Sequence, residues 1–394
     1  MKPQDQIRLN EANRPAVYLD QWVWIRLAQA AKGKPQDPKD KSVLKAVRSA
    51  SEAGVAFPLS STHYVETLRT SSHSRRLAVA NTMASISHCR TLAPRRVVMR
   101  HQLLTAMHES FGRPMFRPER PQIVGLGVHW AFEGVQHQLS IRNPDGVPLP
   151  HGALIPADIL CRLTQWAEIQ FLTGPADDQI ELLRTKYGYR PEATEDVIKS
   201  RLEWEEIYRD LLANDPITRE ELRVRIQARE VIHEHLDLIQ EVFQEYGVPF
   251  RTLTGGSHPT AGHNREAMVA FFNRMPTVRL AVARKLDLFR DSTSTWKVND
   301  LQDIDAISQA APYCDVVVGD KATVASVRKM DLPDTLITAK LNDLVLALPR
   351  LVAVAEKLGG DKSGWDWLSP GVGFDPISPE KALSALRASG EVGN

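Results

Sequence analysis

The chain has 394 residues, 43% of them hydrophobic and 25% charged, with a formal net charge of +1 at pH 7. This length and composition can bury a core, which excludes a wholly disordered chain and predicts one large domain with an insertion or several modules. No apolar run approaches bilayer length and the N-terminus lacks a signal-peptide core, so we expect no membrane span and a cytoplasmic location. Three widely spaced cysteines argue against a disulfide framework or a zinc cluster.

Near the N-terminus, a short apolar run ends in an acidic residue. Residues 16–19 (AVYL) predict a strand, Asp20 follows it, and a helical pattern begins at once. Trp22 lies next to this strand end and can stack on a nucleic-acid base. Trp24 faces another direction on the same helix, so we expect at least one of the two rings in the core. The order of strand, carboxylate and helix predicts that Asp20 lies at the carboxyl edge of a sheet.

A second strand with a following acidic helix is predicted shortly afterwards. Residues 55–59 (VAFPL) have the composition of a strand, and Pro58 restricts that strand to an edge or an end. Ser60 or Ser61 can cap the next helix, and Glu66 lies about one turn into it. We expect the Glu66 carboxylate to reach back toward the carboxyl edge of the sheet.

Basic residues cluster at Arg95, Arg96 and Arg100. Because the net charge is near zero, only local patches of this kind can supply contacts to phosphate groups. We predict that Arg95 and Arg96 contact the backbone of a nucleic acid. The simpler alternative is a solvated charged face.

A long and largely helical insertion is predicted over residues 100–275. Its clearest element is a helix over residues 218–246, because Thr218 and Glu221 form a capping box and apolar residues, Ile232 among them, follow at helical spacing. We expect this apolar stripe to pack on other insertion helices or on a second copy of the chain, which makes a homo-oligomer or a regulatory protein the predicted partner. Further helices are predicted over residues 159–172 and 194–212, and loops over residues 144–150 and 249–263.

Acidic residues crowd the start of a later helix. Residues 299–302 (NDLQ) have the form of a helix cap and predict a helix that begins near Asp300. A helix that leads into a parallel strand runs antiparallel to it, so its first turn lies beside the carboxyl ends of the strands. At about 100° per residue, Asp303 flanks the buried stripe more closely than Asp305. Carboxylates crowded at such a place can hold a metal ion. Asp303 is therefore the preferred ligand for such an ion, with Asp300 and Asp305 in reserve.

The segment that follows predicts a buried strand with acids at both ends. Residues 314–319 (CDVVVG) have the continuous apolar character of a strand in a parallel sheet. Asp320 lies at its carboxyl end, and Lys321 follows as a predicted phosphate contact, with a solvated lysine as the simpler alternative. Asp315 lies about 16 Å from Asp320 at the usual rise of a strand. Asp315 is therefore expected at the opposite edge of the sheet.

Residues 358–394 are predicted as a C-terminal tail, because they are rich in Gly, Pro and Ser. The tail contains Trp365 and Trp367 and ends in a brief helical pattern at residues 379–388. We expect it to cap the insertion, to dock a partner or to be partly disordered.

In their order along the chain, these motifs resemble those of the PIN-like nuclease superfamily, whose domains carry an Asp after the first strand, a Glu on a following helix and late Asp residues. The run from Asn299 to Asp320 is similar to the ND…D…PYCD…D signature of a bacterial PIN-like subgroup. The resemblance implies an α/β, PIN-like fold with a mainly parallel central sheet flanked by helices, built from residues 14–95 and 275–350. Gly319 departs from the pattern, since many relatives have a hydroxyl residue there.

The resemblance implies that Asp20, Glu66, Asp303 and Asp320 are the catalytic residues and that they bind Mg²⁺ or Mn²⁺. Hard cations prefer carboxylate oxygens, and acids held close together without a cation repel each other and take up protons. The implied activity is that of a metal-dependent endoribonuclease, in which bound metal activates water to hydrolyse a phosphodiester. RNA is implied more strongly than DNA, because many PIN-like proteins are ribonucleases. A role as a toxin or in anti-phage defence is expected only because members of the family often have such roles.

Several alternatives stay open. Flap endonuclease relatives of the same fold cut structured DNA. A phosphohydrolase of small esters can use a similar acidic edge, although its common form has an Asp where this chain has Trp22. A non-catalytic binding or assembly module would use the insertion as its interaction surface. In that case Asp20 can cap its helix, Glu66 can pair with Arg69 or His63, and the late acids can complement a helix dipole.

Overall fold

The fold was obtained as a computed structural model, and it is mainly helical with a few short strands. The residues that the structure describes are 14–118, 121–135, 155–190, 192–213, 217–249, 261–291, 295–328, 330, 335–358 and 374–388. The predicted mixture of α and β structure is confirmed over these ranges. The PIN-like topology stays a prediction.

The strands are short and widely separated along the chain. They are β1 (Val17–Leu19), β2 (Arg90–Leu92), β3 (Val124–Leu126), β4 (Val316–Val318) and β5 (Leu336–Thr338). The helices are α1 (Gln21–Ala31), α2 (Asp40–Glu52), α3 (Ser61–Leu68), α4 (His73–Ser87), α5 (Arg95–Phe111), α6 (Gly127–Glu133), α7 (Ala157–Thr173), α8 (Ile180–Tyr187), α9 (Glu192–Ala213), α10 (Arg219–Glu245), α11 (Ala261–Phe272), α12 (Pro276–Arg290), α13 (Val298–Ala310), α14 (Lys321–Val327), α15 (Leu341–Lys357) and α16 (Pro379–Ala388).

The chain divides into two compact units. The first unit contains Pro94–Ile123 and Arg190–Ala339, and the second unit contains Asn13–Ala93, Val124–Tyr189 and Lys340–Asn394. The predicted grouping of residues 14–95 with 275–350, around an insertion at 100–275, stays a prediction.

The central sheet has three strands in the order β1-β4-β5. Strands β4 and β5 are parallel, with Val317 opposite Ile337. Every residue of β1 and β4 is buried, as is typical of strands in a parallel sheet. Strands β2 and β3 pair antiparallel in a separate two-stranded sheet.

The predicted strand at residues 55–59 is reduced to two isolated bridges. Ala56 forms a parallel bridge with Ala16, and Leu59 forms one with Thr91. Pro58, which lies between these bridges, has no N–H to donate to a neighbouring strand, so a continuous ladder cannot form there. The segment is nonetheless buried and leads directly into α3.

Helix α10 organises the core of the first unit. It begins as predicted, because the Thr218 hydroxyl accepts a hydrogen bond from the backbone N–H of Glu221 at 3.1 Å. Its buried side chains pack with those of α5, α11 and α12 in one hydrophobic cluster. Ile232, which belongs to the predicted apolar stripe, is 54% exposed and lies outside this cluster. Val231 and His235, which lie on an adjacent stripe of the helix, face inward instead.

The other predicted helices of the insertion are confirmed as α7 and α9. Of the predicted loop at residues 249–263, residues 250–260 lie outside the described residues, as does the loop at residues 144–150. In the tail, Trp365 and Trp367 are also outside the described residues, and the helical pattern at 379–388 is confirmed as α16. No described helix is both long enough and apolar enough to cross a membrane.

Candidate metal centre

Asp20 lies directly after the buried strand β1 and caps α1. Its Oδ1 accepts a hydrogen bond from the backbone N–H of Gln21 at 2.5 Å, and its carbonyl accepts from the N–H of Val23. The cap is the simple role anticipated for this residue. It also fixes the direction of the carboxylate, because the buried strand and the first helical turn hold the backbone on either side.

Asp320 has the equivalent place after β4, where it caps α14. Its Oδ1 accepts hydrogen bonds from the N–H groups of Ala322 at 2.7 Å and Thr323 at 3.1 Å. Its Oδ2 is buried and has no hydrogen-bond partner among the residues that the structure describes. An unsatisfied buried acceptor costs about 1–3 kcal/mol, and more when it is charged. Asp320 thus has one oxygen committed to the helix and another whose environment favours a cation.

Helix α13 begins at Val298, two residues before the predicted start. The reason is that Asp300, rather than Asn299, supplies the cap: its Oδ2 accepts a hydrogen bond from the backbone N–H of Lys297 at 2.9 Å. The Asp300 carboxylate also lies 3.4 Å from the guanidinium of Arg284. The carboxylate of Asp300, a reserve ligand, is therefore already engaged in a helix cap and an ion pair.

Asp303 and Asp305 lie on different faces of α13. Asp305 accepts hydrogen bonds from Arg201 at 2.7 Å and from Arg95 at 2.9 Å. Burial alone would raise the pKa of Asp305, but these two guanidinium groups hold it below its usual value. Asp305 is therefore committed to an ion-pair network in the first unit, although it is partly exposed, as Asp303 is.

Three of the four predicted acids form a group that could hold a metal ion. One carboxylate oxygen from each of Asp20, Asp303 and Asp320 lies within 4.8 Å of the others. Oxygens that share one cation at ligand distances of about 2.0–2.6 Å are separated by no more than about 4–5 Å. The separations in this group therefore fit a single divalent ion.

Glu66 is the predicted ligand that this group does not include. It lies on α3, and burial together with the negative charge of Asp20 raises the pKa of its carboxyl to about 8, against the opposing charge of Arg69. A carboxyl with such a pKa carries a proton at neutral pH unless a cation is nearby. The repulsion expected between neighbouring acids is thus present at the Asp20–Glu66 pair.

His63 holds α3 against β1 and was not predicted in this role. The backbone N–H of Ser60 donates to His63 Nδ1 at 2.8 Å, so the proton is on Nε2, which donates to the Leu19 carbonyl at 2.8 Å. The expected alternative, a pairing of His63 with Glu66, is not what these bonds show. The signal in the sequence was the Ser-x-x-His spacing, which matches a capping box with an imidazole in place of Glu.

We expect the free energy of unfolding to fall as the pH is lowered, in part through His63. Burial lowers the pKa of His63 from 6.5 to about 4, against the opposing Leu19 carbonyl. Between these two pH values the unfolded chain binds a proton that the folded protein excludes. The contribution of His63 to the free energy of unfolding is therefore complete above pH 6.5 and is lost as the pH falls to about 4. The difference is roughly 3 kcal/mol.

Urea unfolding of the wild type and of His63→Gln at neutral and acidic pH measures this effect. The variant should be less stable at neutral pH, because it loses the fixed imidazole bridge, and it should lose less stability on acidification. Partly buried His101, whose pKa is also lowered to about 4, contributes the same pH dependence to both proteins. An identical pH dependence in the two proteins would contradict the assignment.

The residues predicted to contact substrate fall into two groups. Arg95 forms ion pairs with Glu230 and Asp305, and Arg96 forms one with Glu241. These carboxylates form ion pairs with the guanidinium groups that were expected to contact phosphate. Lys321 is exposed at the start of α14 and Trp22 is partly exposed. The predicted contacts of all four residues with substrate stay predictions. Trp24 is fully buried, in line with the expectation that one of the two rings belongs to the core.

Gly319, which precedes Asp320, is not required by lack of space. A Cβ at this position would lie 3.6 Å from side-chain atoms of Ile307 and Val324, which is ordinary van der Waals contact. The absence of a hydroxyl side chain beside Asp320 is therefore a feature of this sequence that the packing does not impose.

Comparison of the chain with protein-family models, with curated proteins and with solved structures finds no match in any of the three. The site itself carries the functional argument. It combines three carboxylates on the scale of one ion, two of them fixed as helix caps, with a fourth acid whose pKa is raised.

Proposed function

We propose that the protein is a metal-dependent endoribonuclease that binds Mg²⁺ or Mn²⁺ through Asp20, Asp303 and Asp320. The observation that carries the proposal is the group of three carboxylate oxygens within 4.8 Å of one another. The unpartnered, buried Oδ2 of Asp320 supports it, because a cation would satisfy that oxygen. A set of carboxylates suits hard divalent cations better than zinc or copper.

Two of the three carboxylates of this site are held in place before any substrate binds. Hydrogen bonds from Gln21 to Asp20 and from Ala322 to Asp320 orient two of the carboxylates. When bound, a divalent ion supplies a Lewis acid that acidifies water and offsets charge on the phosphodiester. The raised pKa of Glu66 makes this residue suitable to hold a proton beside Asp20 at neutral pH.

The preference for RNA follows from the resemblance to PIN-like nucleases, since an acidic metal site can act on the phosphodiester of RNA or DNA. Incubation of the purified protein with labelled RNA, single-stranded DNA and duplex DNA, in Mn²⁺, Mg²⁺ or EDTA, tests the proposal. We expect cleavage of RNA with either metal and none in EDTA. Calorimetric titration with Mn²⁺ alone should show binding to the wild type.

Each alternative has its own outcome in this experiment. Cleavage of DNA without cleavage of RNA would identify a DNA nuclease. Hydrolysis of p-nitrophenyl phosphate without cleavage of any polynucleotide would identify a phosphohydrolase of small esters. Failure on every substrate, with no Mn²⁺ bound in the titration, would leave a binding or assembly module.

A further inference from the structure

A pocket in the first unit is lined by three arginines and lies apart from the carboxylate group. Its volume is about 220 Å³. Arg219 and Arg223 come from the first turns of α10, and Arg279 comes from α12. Of the described residues in the lining, Asp287 is the only acidic one, so these residues carry a formal excess of two positive charges. The charge of this pocket therefore favours an anion.

The pocket also contains hydrogen-bond donors that the described residues do not fully occupy. Among the described residues, Arg219 and Arg279 make no ion pair, whereas Arg223 pairs with the exposed Glu220. The Asn273 side-chain oxygen accepts hydrogen bonds from Arg223 at 3.2 Å and from Gln227 at 2.9 Å. This arrangement assigns the amide orientation and leaves the Asn273 NH₂ group as a further donor.

One wall of the same pocket is apolar. Val282, Leu286 and Met330 form it, beside the arginines. A guanidinium fork matches the oxygens of a phosphate group, and an apolar wall suits the sugar or base attached to that phosphate. A simple inorganic anion would use only the first of these features.

We infer that this pocket binds a phosphate group of a single-stranded nucleic acid, with the adjoining sugar or base against the apolar wall. The choice of a nucleic acid as the ligand rests on the proposed function. One nucleic-acid strand could contact both this pocket and the carboxylate site. Ser326, which lines the pocket, is six residues after Asp320 along α14, or about 9 Å along the helix axis. At about 3.4 Å per stacked nucleotide, that distance corresponds to two or three nucleotides.

The test measures binding in the absence of cleavage. The probe is a fluorescein-labelled, single-stranded RNA of twelve nucleotides, titrated in EDTA and followed by fluorescence anisotropy at several salt concentrations. The double variant Arg219→Gln/Arg279→Gln should bind at least about tenfold more weakly than the wild type. Its salt dependence should fall by about 0.7 in the slope of log K against log salt, because one phosphate is no longer neutralised.

A control variant with the same loss of charge separates the pocket from general electrostatics. Arg290 and Arg350 are exposed and do not line the pocket, so Arg290→Gln/Arg350→Gln should bind RNA within about twofold of the wild type. If the pocket variant does not fold by circular dichroism, the single variant of exposed Arg219 replaces it. Equal binding by the pocket variant and the control would overturn the inference.

Two competitors and the cleavage assay complete the test. If AMP binds more tightly than the RNA, the assignment to a nucleic-acid strand is overturned. If a poly-glutamate peptide binds as tightly as the RNA, with the same dependence on Arg219 and Arg279, the assignment to phosphate is overturned. Loss of RNA binding in the pocket variant supports the pocket even if the wild type cleaves nothing. Cleavage by the wild type together with undiminished binding by the pocket variant supports the nuclease and overturns the pocket.

Discussion

Asp320→Asn is expected to lower metal-dependent RNA cleavage by at least about a hundredfold, because the loss of a group that merely supports a metal ligand already costs 10–100-fold. The substitution is chosen to spare the fold. The amide oxygen of Asn can still accept the hydrogen bonds that Asp320 accepts from Ala322 and Thr323. The NH₂ group that replaces Oδ2 cannot bind a cation, so the variant removes the charge and retains the cap.

Initial cleavage rates at saturating Mn²⁺, together with thermal unfolding, measure this prediction. Asp315→Asn is the matched control, because Asp315 is exposed and precedes β4 whereas Asp320 follows it. The control should cleave at the wild-type rate. Asp320→Ala should lose cleavage and also about 0.5–2 kcal/mol of stability, since it removes the helix cap. Wild-type cleavage by Asp320→Asn would rule out this residue as a metal ligand.

The acids at strand ends could be predicted because the features that place them are local. Asp20 and Asp320 each follow a short apolar run, and each precedes a helix that needs a cap. A strand, a carboxylate and a helix start can all be recognised within about ten residues of sequence. Pro58 likewise identified a strand that could not continue, although the sequence did not show that only two bridges would remain.

The partners of the charged side chains could not be predicted from the same patterns. Arg95 has the appearance of a surface residue in a basic run, but the structure pairs it with Glu230 and Asp305, which are far away in the sequence. Asp305 lies in the same acidic cluster as Asp303 and has a different role. Ion pairs of this kind depend on how helices pack together, and helix packing is set by the whole core rather than by a local motif.

Lys285→Met is expected to destabilise the protein by roughly 3–5 kcal/mol, because it removes the cation from a buried ion pair and leaves the acids behind. The Lys285 ammonium lies 2.5 Å from Glu205 and 2.8 Å from Glu230, and all three side chains are buried. Methionine fills a similar volume, so the loss of charge rather than a cavity dominates the effect. Urea unfolding at neutral pH measures the change, and Lys45→Met, at an exposed lysine of α2, should change it by less than about 0.5 kcal/mol.

The pH dependence of the stability of Lys285→Met identifies Glu230 as the charge that the substitution leaves without Lys285. Burial would raise the pKa of Glu230, but the charges of Lys285 and then Arg95 outweigh burial and hold that pKa well below its usual value. In the wild type, this contribution to stability is therefore present above the pKa of the unfolded chain, 4.5, and is lost only as the pH falls through the lower folded value. In Lys285→Met the pKa of Glu230 should rise, so the carboxyl can take up a proton. The stability difference from the wild type should then narrow on acidification.

A second substitution separates buried charge from altered packing. In the Lys285→Met background, Glu230 keeps Arg95 but has lost Lys285, so Glu230→Gln should recover part of the lost free energy of unfolding. In the wild-type background the same change should destabilise, because it leaves Lys285 and Arg95 with one acid fewer. A change of sign between the two backgrounds is the signature of a charge pair. Equal effects in both backgrounds would show that the two side chains contribute independently, and that the ion pair is not what holds α10 and α12 together.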